Sequence, residues 1–217
     1  MKDPPDGIRI WRFTDFAKFY AMLSSDTLYF SRLDALEDQF EGQFSEARVQ
    51  FDEKVYEHPT MTPYGRSIME WMHSSIRKNA FVNCWHMNEY ESGLLWSKYS
   101  VVSGGIAIQS TSDRLEKSFD PASRAIYVSE IEYIDRAKDM TPISNVMTRA
   151  IQKGKSYQDE HELRAMYFHM SIWSIPSSLE ALRWKSDWRN SSNRYMFLRN
   201  PQNGFENWYN RSCQTRV

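Results

Sequence analysis

The sequence predicts a single α+β domain, a mixed and mostly antiparallel sheet with helices around it. Three observations predict it. A chain of 217 residues is long enough for one domain with a proper core. Its 41% hydrophobic and 25% charged residues are ordinary for a globular protein. Short β-rich runs are interspersed with amphipathic helical runs, with no internal repeat, linker or low-complexity stretch to divide them.

The elements follow in order. "IRIWRF" is a strand-like apolar run that carries Arg12. Phe13, Phe16, Phe19, Tyr20 and Leu23 then recur at helical spacing after Thr14, a suitable N-cap. "TLYFS" (27–31) is a short strand. "SEARVQFDEKVYEH" (45–58) is an exposed helix closed by Pro59. "GRSIMEWMHSSIRKN" (65–79) is a second helix, with Ile68, Trp71, Met72 and Ile76 on one face. "AFVNCWH" (80–86) is a buried strand. Asn88, with Glu91 three positions on, opens a helix that runs to about Tyr99. "GGIAIQS" (104–110) is a strand after a glycine turn, and Ser110 with Asp113 starts a short helix. "RAIYVSEIEYID" (124–135) is the longest strand, with Ile126 and Val128, then Ile131 and Tyr133, on either side of a bulge.

Several function classes have no support. No run approaches the ~20 apolar residues of a membrane span, and "MKDPPDGIRI" is not a signal peptide, so the cytoplasm is the expected compartment. Cys84 and Cys213 provide neither a disulfide framework nor a metal knuckle. The net charge of -1 carries no nucleic-acid signature. That charge is uneven, since the last fifty residues hold 7 Lys/Arg against 3 Asp/Glu. P-loop and GxGxxG motifs are missing, and Ser92 in "YESGL" lacks the G-x-S-x-G elbow.

The densest charge cluster is "QDEHELR" (158–164). His161-Glu162 begins like HExxH, but Ala165 stands where the second histidine belongs, so no metal site is expected. Read as a strand, it puts Tyr157, His161, Leu163, Ala165 and Tyr167 on one face and Glu160, Glu162 and Arg164 on the other. Two blander readings compete. The polar face meets solvent, or the segment is a helix with Glu160 and Arg164 as a surface salt bridge at i,i+4.

Three further islands stand out. Arg12, just before a helix, is either an anion hook or a snorkelling edge residue. "LEDQFEG" (36–42) is an acidic loop in which Gly42 allows a turn. In "NCWHMNEYESGLLWSKY" (83–99), Trp85, Trp96 and Tyr99 suit a core or a ligand platform, with Glu91 beside them. The 15% aromatic content fits both uses.

Taken in order, the segments containing "YFSRLDALEDQFEG", "FVNCWHMNEYESGLLWSKYSVVSGGIAIQ" and "KSYQDEHELRAM" resemble the bacterial domain-of-unknown-function family 2971 over about residues 8–167. The resemblance implies a cytoplasmic bacterial protein and, for some members, a place among phage-defence and mobile-element genes. This chain departs from the family's Asp-Pro-Phe-Glu, reading Asp38-Gln39-Phe40-Glu41, which implies a looser turn. It divides into a family-like α+β domain at 1–182 and a divergent or poorly ordered tail at 183–217, basic and without apolar periodicity, as a disrupted reading frame would also produce.

A second, weaker resemblance is to ADP-ribosyltransferases. Arg12, then Tyr29 and Ser31 in "YFS", then Glu160-x-Glu162 match that class's order of a first-strand Arg, an aromatic-Ser strand and a late ExE. It implies NAD as co-substrate. Glu162 would stabilise an oxocarbenium-like state and Glu160 would orient the acceptor. Arg12 would hold the pyrophosphate, Ser31 would brace the site, and Tyr29 or Trp96 would stack on nicotinamide, with Arg164 beside the acids. The rival is a non-catalytic ligand- or partner-binding module in which Trp85, Trp96 and Glu91 line a groove. It predicts that Glu160 and Glu162 pair with Arg164 or other cations. A metal-dependent nuclease using Asp38, Glu41 and the ExE acids lacks an ExK or histidine partner. The sequence carries no signal for oligomeric state.

Overall fold

Residues 9–15 alternate apolar side chains to two sides, and in the computed structural model they form β1 (Arg9–Asp15), the strand around which the domain is organised. The structure describes residues 1–99, 105–119, 125–142 and 146–169, side chains of 72 and 73 excepted, and the backbone of 179–183, 196–200 and 204–207.

The helix after β1 starts at its own cap. Asp15, rather than Thr14, accepts a hydrogen bond from Lys18 N at 2.8 Å and opens α1 (Phe16–Ser25). β2 (Thr27–Arg32) leads through a 3-10 turn (Leu33–Ala35) into α2 (Glu46–Tyr56), which is capped by Ser45. α3 (Pro63–Asn79) starts at Thr62 with proline at its first position and runs directly into β3 (Ala80–Met87). The face expected of α3 is only partly buried. Ile76 is in the core, but Ile68 and Trp71 are 41% and 57% exposed. α2 departs from its expectation in the other direction, since Arg48 and Asp52 are buried as an i,i+4 pair at 2.8 Å.

α4 (Gly93–Tyr99) starts later than expected, because Asn88 Oδ1 takes Tyr90 N in a turn and Ser92 Oγ takes Leu95 N as the cap. β4 (Gly105–Thr111) and α5 (Ser112–Ser118) follow. The long strand expected at 124–135 is broken at Ile131 into β5 (Tyr127–Glu130) and β6 (Glu132–Ile134). The two halves belong to different sheets, so the segment is a crossing and not a bulged strand. β6 pairs in parallel with β7 (Gln152–Gly154), which precedes a 3-10 turn (Lys155–Glu160) and β8 (Glu162–Phe168). β9 (Leu179–Arg183), β10 (Met196–Asn200) and β11 (Gly204–Asn207) complete the main sheet. β10 and β11 lie within the expected tail, most of which falls outside the described residues.

The main sheet is antiparallel at every pairing, in the order β11-β10-β4-β1-β3-β2-β9, with β8 on β3 and β5 on β8. This is the single α+β domain that the sequence predicts. Alternation sorts the side chains into two layers. Ile10, Phe30, Phe81, Trp85, Leu163 and Tyr167 face α1 and α5. On the other face two separate clusters form. Val82 and Met166 pack under Leu33 and Ile76 of α3, while Trp11 and Phe13 pack under Trp96 of α4.

One feature of β3 positions the site. Its first edge carries β8 from Ala80 to His86. Its second edge is shared, with β2 opposite Phe81 and Val82 and β1 opposite His86 and Met87. Between them, at 83–85, the described strands leave a split that side chains bridge. Asn83 Nδ2 donates to Tyr29 O at 2.7 Å, and Arg12 Nη1 donates to Cys84 O at 3.3 Å.

Candidate functional site

Between the two clusters on the α3–α4 face lies a cleft of about 450 Å³, a size suited to a small-molecule ligand. Its floor is built by register. β3 and β8 set Cys84 opposite Arg164 and His86 opposite Glu162, all four on the same face. Ser31 lies opposite Val82 and joins them from β2. Trp11 and Phe13 from β1, Tyr99 and Lys98 from α4, and Tyr157 from the 3-10 turn form the walls.

Two charged residues reach the floor from outside the main sheet. Glu41, 2% exposed, is carried by the 36–42 loop. Asp38 Oδ1 accepts from Phe40 N at 2.9 Å, and Arg77 donates to the carbonyls of Glu41 and Gln39 at 2.8 and 3.0 Å. The turn is therefore held firmly without the proline that the family resemblance led one to expect. Gly42 is needed at its end, with φ +70° and an added Cβ only 2.4 Å from Leu33 Cδ2. Lys153 arrives on β7, whose parallel pairing with β6 places it beside Tyr133.

These residues form one network. Arg164 is fully buried and donates Nε to Glu162 Oε1 at 2.5 Å and Nη2 to Glu162 Oε2 at 3.1 Å. It also meets Glu41 with two bonds at 2.8 and 2.9 Å, and Ala150 O at 2.8 Å. All five guanidinium N–H groups are engaged. Lys153 Nζ lies 2.5 Å from Glu160, 3.1 Å from Glu162 and 3.4 Å from Glu41. Burial by itself would push the Glu162 carboxyl up, but Arg164 and Lys153 outweigh it and hold it at about 2. For Lys153 burial acts downward, and Glu162, Glu41 and Glu160 outweigh it, so its ammonium is held above its ordinary range. Burial, then the neighbouring Glu162, raises the Cys84 thiol far above its ordinary range and leaves it a poor nucleophile. The Tyr133 hydroxyl accepts from Glu162 N at 2.8 Å, anchoring the start of β8, and burial pushes it up to about 12.

His86 is 4% exposed and lines the cleft. Its Nδ1 lies 2.6 Å from Glu160 O, which can only accept, so Nδ1 carries the proton. Nε2 is then a lone-pair acceptor, and it has no partner among the described residues. Burial lowers the imidazole below its ordinary value, which favours the neutral ring. No group of three or more His, Cys, Asp or Glu suited to a metal ion occurs among the described residues.

The expected site residues divide. Ser31, Glu160, Glu162 and Arg164 line the cleft together. Glu160 is not on the strand, however. His161 takes a positive φ of 39°, the turn ends there, and β8 begins at Glu162. The two acids meet through Lys153, not as side-by-side strand neighbours. Arg12 lies on the opposite face, 6.0 Å over the Trp85 ring, with Nη1 on the Cys84 carbonyl. Trp96 is a core residue, 1% exposed and edge-on to Phe13 at 5.2 Å, and its Nε1 donates to Glu91 Oε2 at 2.7 Å. Trp96, Glu91 and the 36% exposed Tyr29 do not line the cleft. Sequence reasoning missed Lys153, for which a lone lysine in an unpatterned segment offers no signal. It also undervalued Glu41, whose signal was the glycine after it.

Comparisons with protein-family models, with curated proteins and with solved structures find no match to this chain.

Proposed function

We propose that the protein is a binding module that holds a small, polar, ring-bearing ligand of nucleoside or nucleotide size in the cleft beside Tyr99. One observation carries the reading: the charged floor is paired within itself. Arg164 has no N–H left to offer and Lys153 lies against three carboxylates, so the ExE acids buttress the cleft, as a binding module predicts. What faces a ligand is the aromatic wall of Phe13, Tyr99 and Tyr157 and the polar atoms of Ser31 and Glu160. The test is calorimetric titration with adenosine, AMP, nicotinamide and NAD. Saturable binding by at least one member, weakened about fivefold in Tyr99→Ala by loss of about 1 kcal/mol of ring contact, is expected. Binding by none of them overturns the reading.

A second reading, ADP-ribosyl transfer from NAD, is favoured by Ser31, Glu160 and Glu162 lining one cavity. In that case Glu160, with one oxygen away from Lys153, is the carboxylate that would meet a developing positive charge. Nicotinamide release from labelled NAD that disappears in Glu160→Gln supports it; no release by the wild type sinks it. A role in phage defence rests on the family resemblance alone, and comparing phage plating on cells with and without the gene tests it.

A further inference from the structure

The chemistry of the cleft's free polar atoms narrows the ligand further. Its lining carries the cations Lys18, Lys98, Lys153 and Arg164 against the carboxylates Glu37, Asp38, Glu41, Glu160 and Glu162, so one negative charge is in excess. The imbalance at the ligand is larger than that count, because Lys18 pairs at 3.0 Å with Asp15, which is not in the lining. Lys98 is paired with Glu37 at 3.2 Å, and the two floor cations are held by carboxylates as described. An incoming phosphate therefore meets no unpaired cation among these residues.

The open group is an acceptor instead. Glu160 gives Oε2 to Lys153, and its Oε1 has no partner among the described residues. His86 also lines the cleft, but its unpartnered Nε2 is buried away from the cavity surface, which leaves Glu160 as the acceptor a ligand can reach. Beside it stands the Tyr99 ring, which attracts positive charge through its quadrupole, whereas the Tyr157 ring already carries Lys153 Nζ at 4.8 Å from its centroid.

We propose that the cleft selects a flat organic cation bearing N–H donors, an amidinium, a guanidinium or a protonated amino-heterocycle, and that Glu160 is the residue that reads its charge. This rests on the binding reading above and specifies the ligand's buried end. A planar N–H cation can donate to Glu160 Oε1 while its π face lies on an aromatic wall, the pairing for which carboxylates and rings are jointly suited.

The experiment uses two near-isosteric probes, benzamidine, which is cationic at neutral pH, and benzamide, which is neutral. Each is titrated into the full chain and its affinity read by calorimetry. Benzamidine is expected to bind at least tenfold more tightly than benzamide in the wild type. In Glu160→Gln that ratio should fall to within about threefold of unity. Glu70→Gln removes an exposed charge on α3 outside the cleft, and the ratio should persist in it. Equal affinities, or a preference for benzamide, overturn the charge selection even where the nucleoside titrations succeed. Binding by neither probe together with failure of those titrations overturns the cleft as a ligand site. A ratio unchanged in Glu160→Gln removes Glu160 from the role.

Discussion

Replacing Arg164 by Met removes the centre of the buried network while leaving a side chain of similar length. Glu41 and Glu162, 2% and 5% exposed, then keep their charge with only Lys153 to share. Breaking a buried ion pair from one side typically costs about 3–5 kcal/mol. The Glu162 carboxyl gives the direction of the pH dependence. It is held at about 2, against an ordinary 4.5, by Arg164 and Lys153 together, so Arg164→Met removes the first-named of these cations and leaves the second. The sign follows from linkage: a carboxyl depressed in the folded state stabilises above its unfolded value and loses that contribution as pH falls from about 4.5 toward 2. Urea unfolding of Arg164→Met at pH 7 should therefore show a loss of about 3–5 kcal/mol. The gap from the wild type should narrow below pH 4.5, where the orphaned acids protonate at little cost. A loss under about 1 kcal/mol at pH 7, or a gap that widens in acid, would refute the account of the floor.

Gly42→Ala forces a Cβ to 2.4 Å from Leu33 Cδ2 at a φ of +70°, so it should lower stability by about 2 kcal/mol, read as a drop in Tm. Lys153→Met should cost about 2 kcal/mol near neutrality by leaving three acids together. Because the lysine is raised in the folded state, its contribution is lost as pH rises beyond about 10.5, and the difference between the two proteins should shrink in alkali and again in acid, where its carboxylate partners protonate. His86 is depressed by burial, so the wild type should lose stability as pH falls through 6.5, and His86→Gln should lack that part of the acid slope in a pH series of thermal melts. Trp96→Phe removes the bond to Glu91 from a core position and should destabilise by about 1–2 kcal/mol while leaving ligand affinity intact, in contrast to Tyr99→Ala.

Much of the architecture is legible in local pattern. The strands at 27–31 and 80–86, the helix at 65–79 and the apolar face of Leu163, Ala165 and Tyr167 follow from periods of 2 and 3.6, which are set by residues a few positions apart. Where periodicity misleads, a non-local event intervenes. Residues 124–135 alternate like one strand, but Ile131 N donates to Glu162 O and Glu132 N to Ile151 O, and these distant partners divide the segment between two sheets.

The sequence by itself determined that one α+β domain forms, and its strand reading of 158–164, held beside a helical one, placed Glu162 and Arg164 on one face, because both rest on chemistry and spacing along the chain. Tertiary structure alone decided what those charges meet. Glu41 comes from 123 positions away, and Lys153 arrives through the parallel pairing of β6 and β7. The split along β3 turned Arg12 from a ligand-binding expectation into a bridge to the Cys84 carbonyl. A buried charge takes whichever partner the fold brings within about 3 Å, since leaving it unpaired costs more than any local preference can offset.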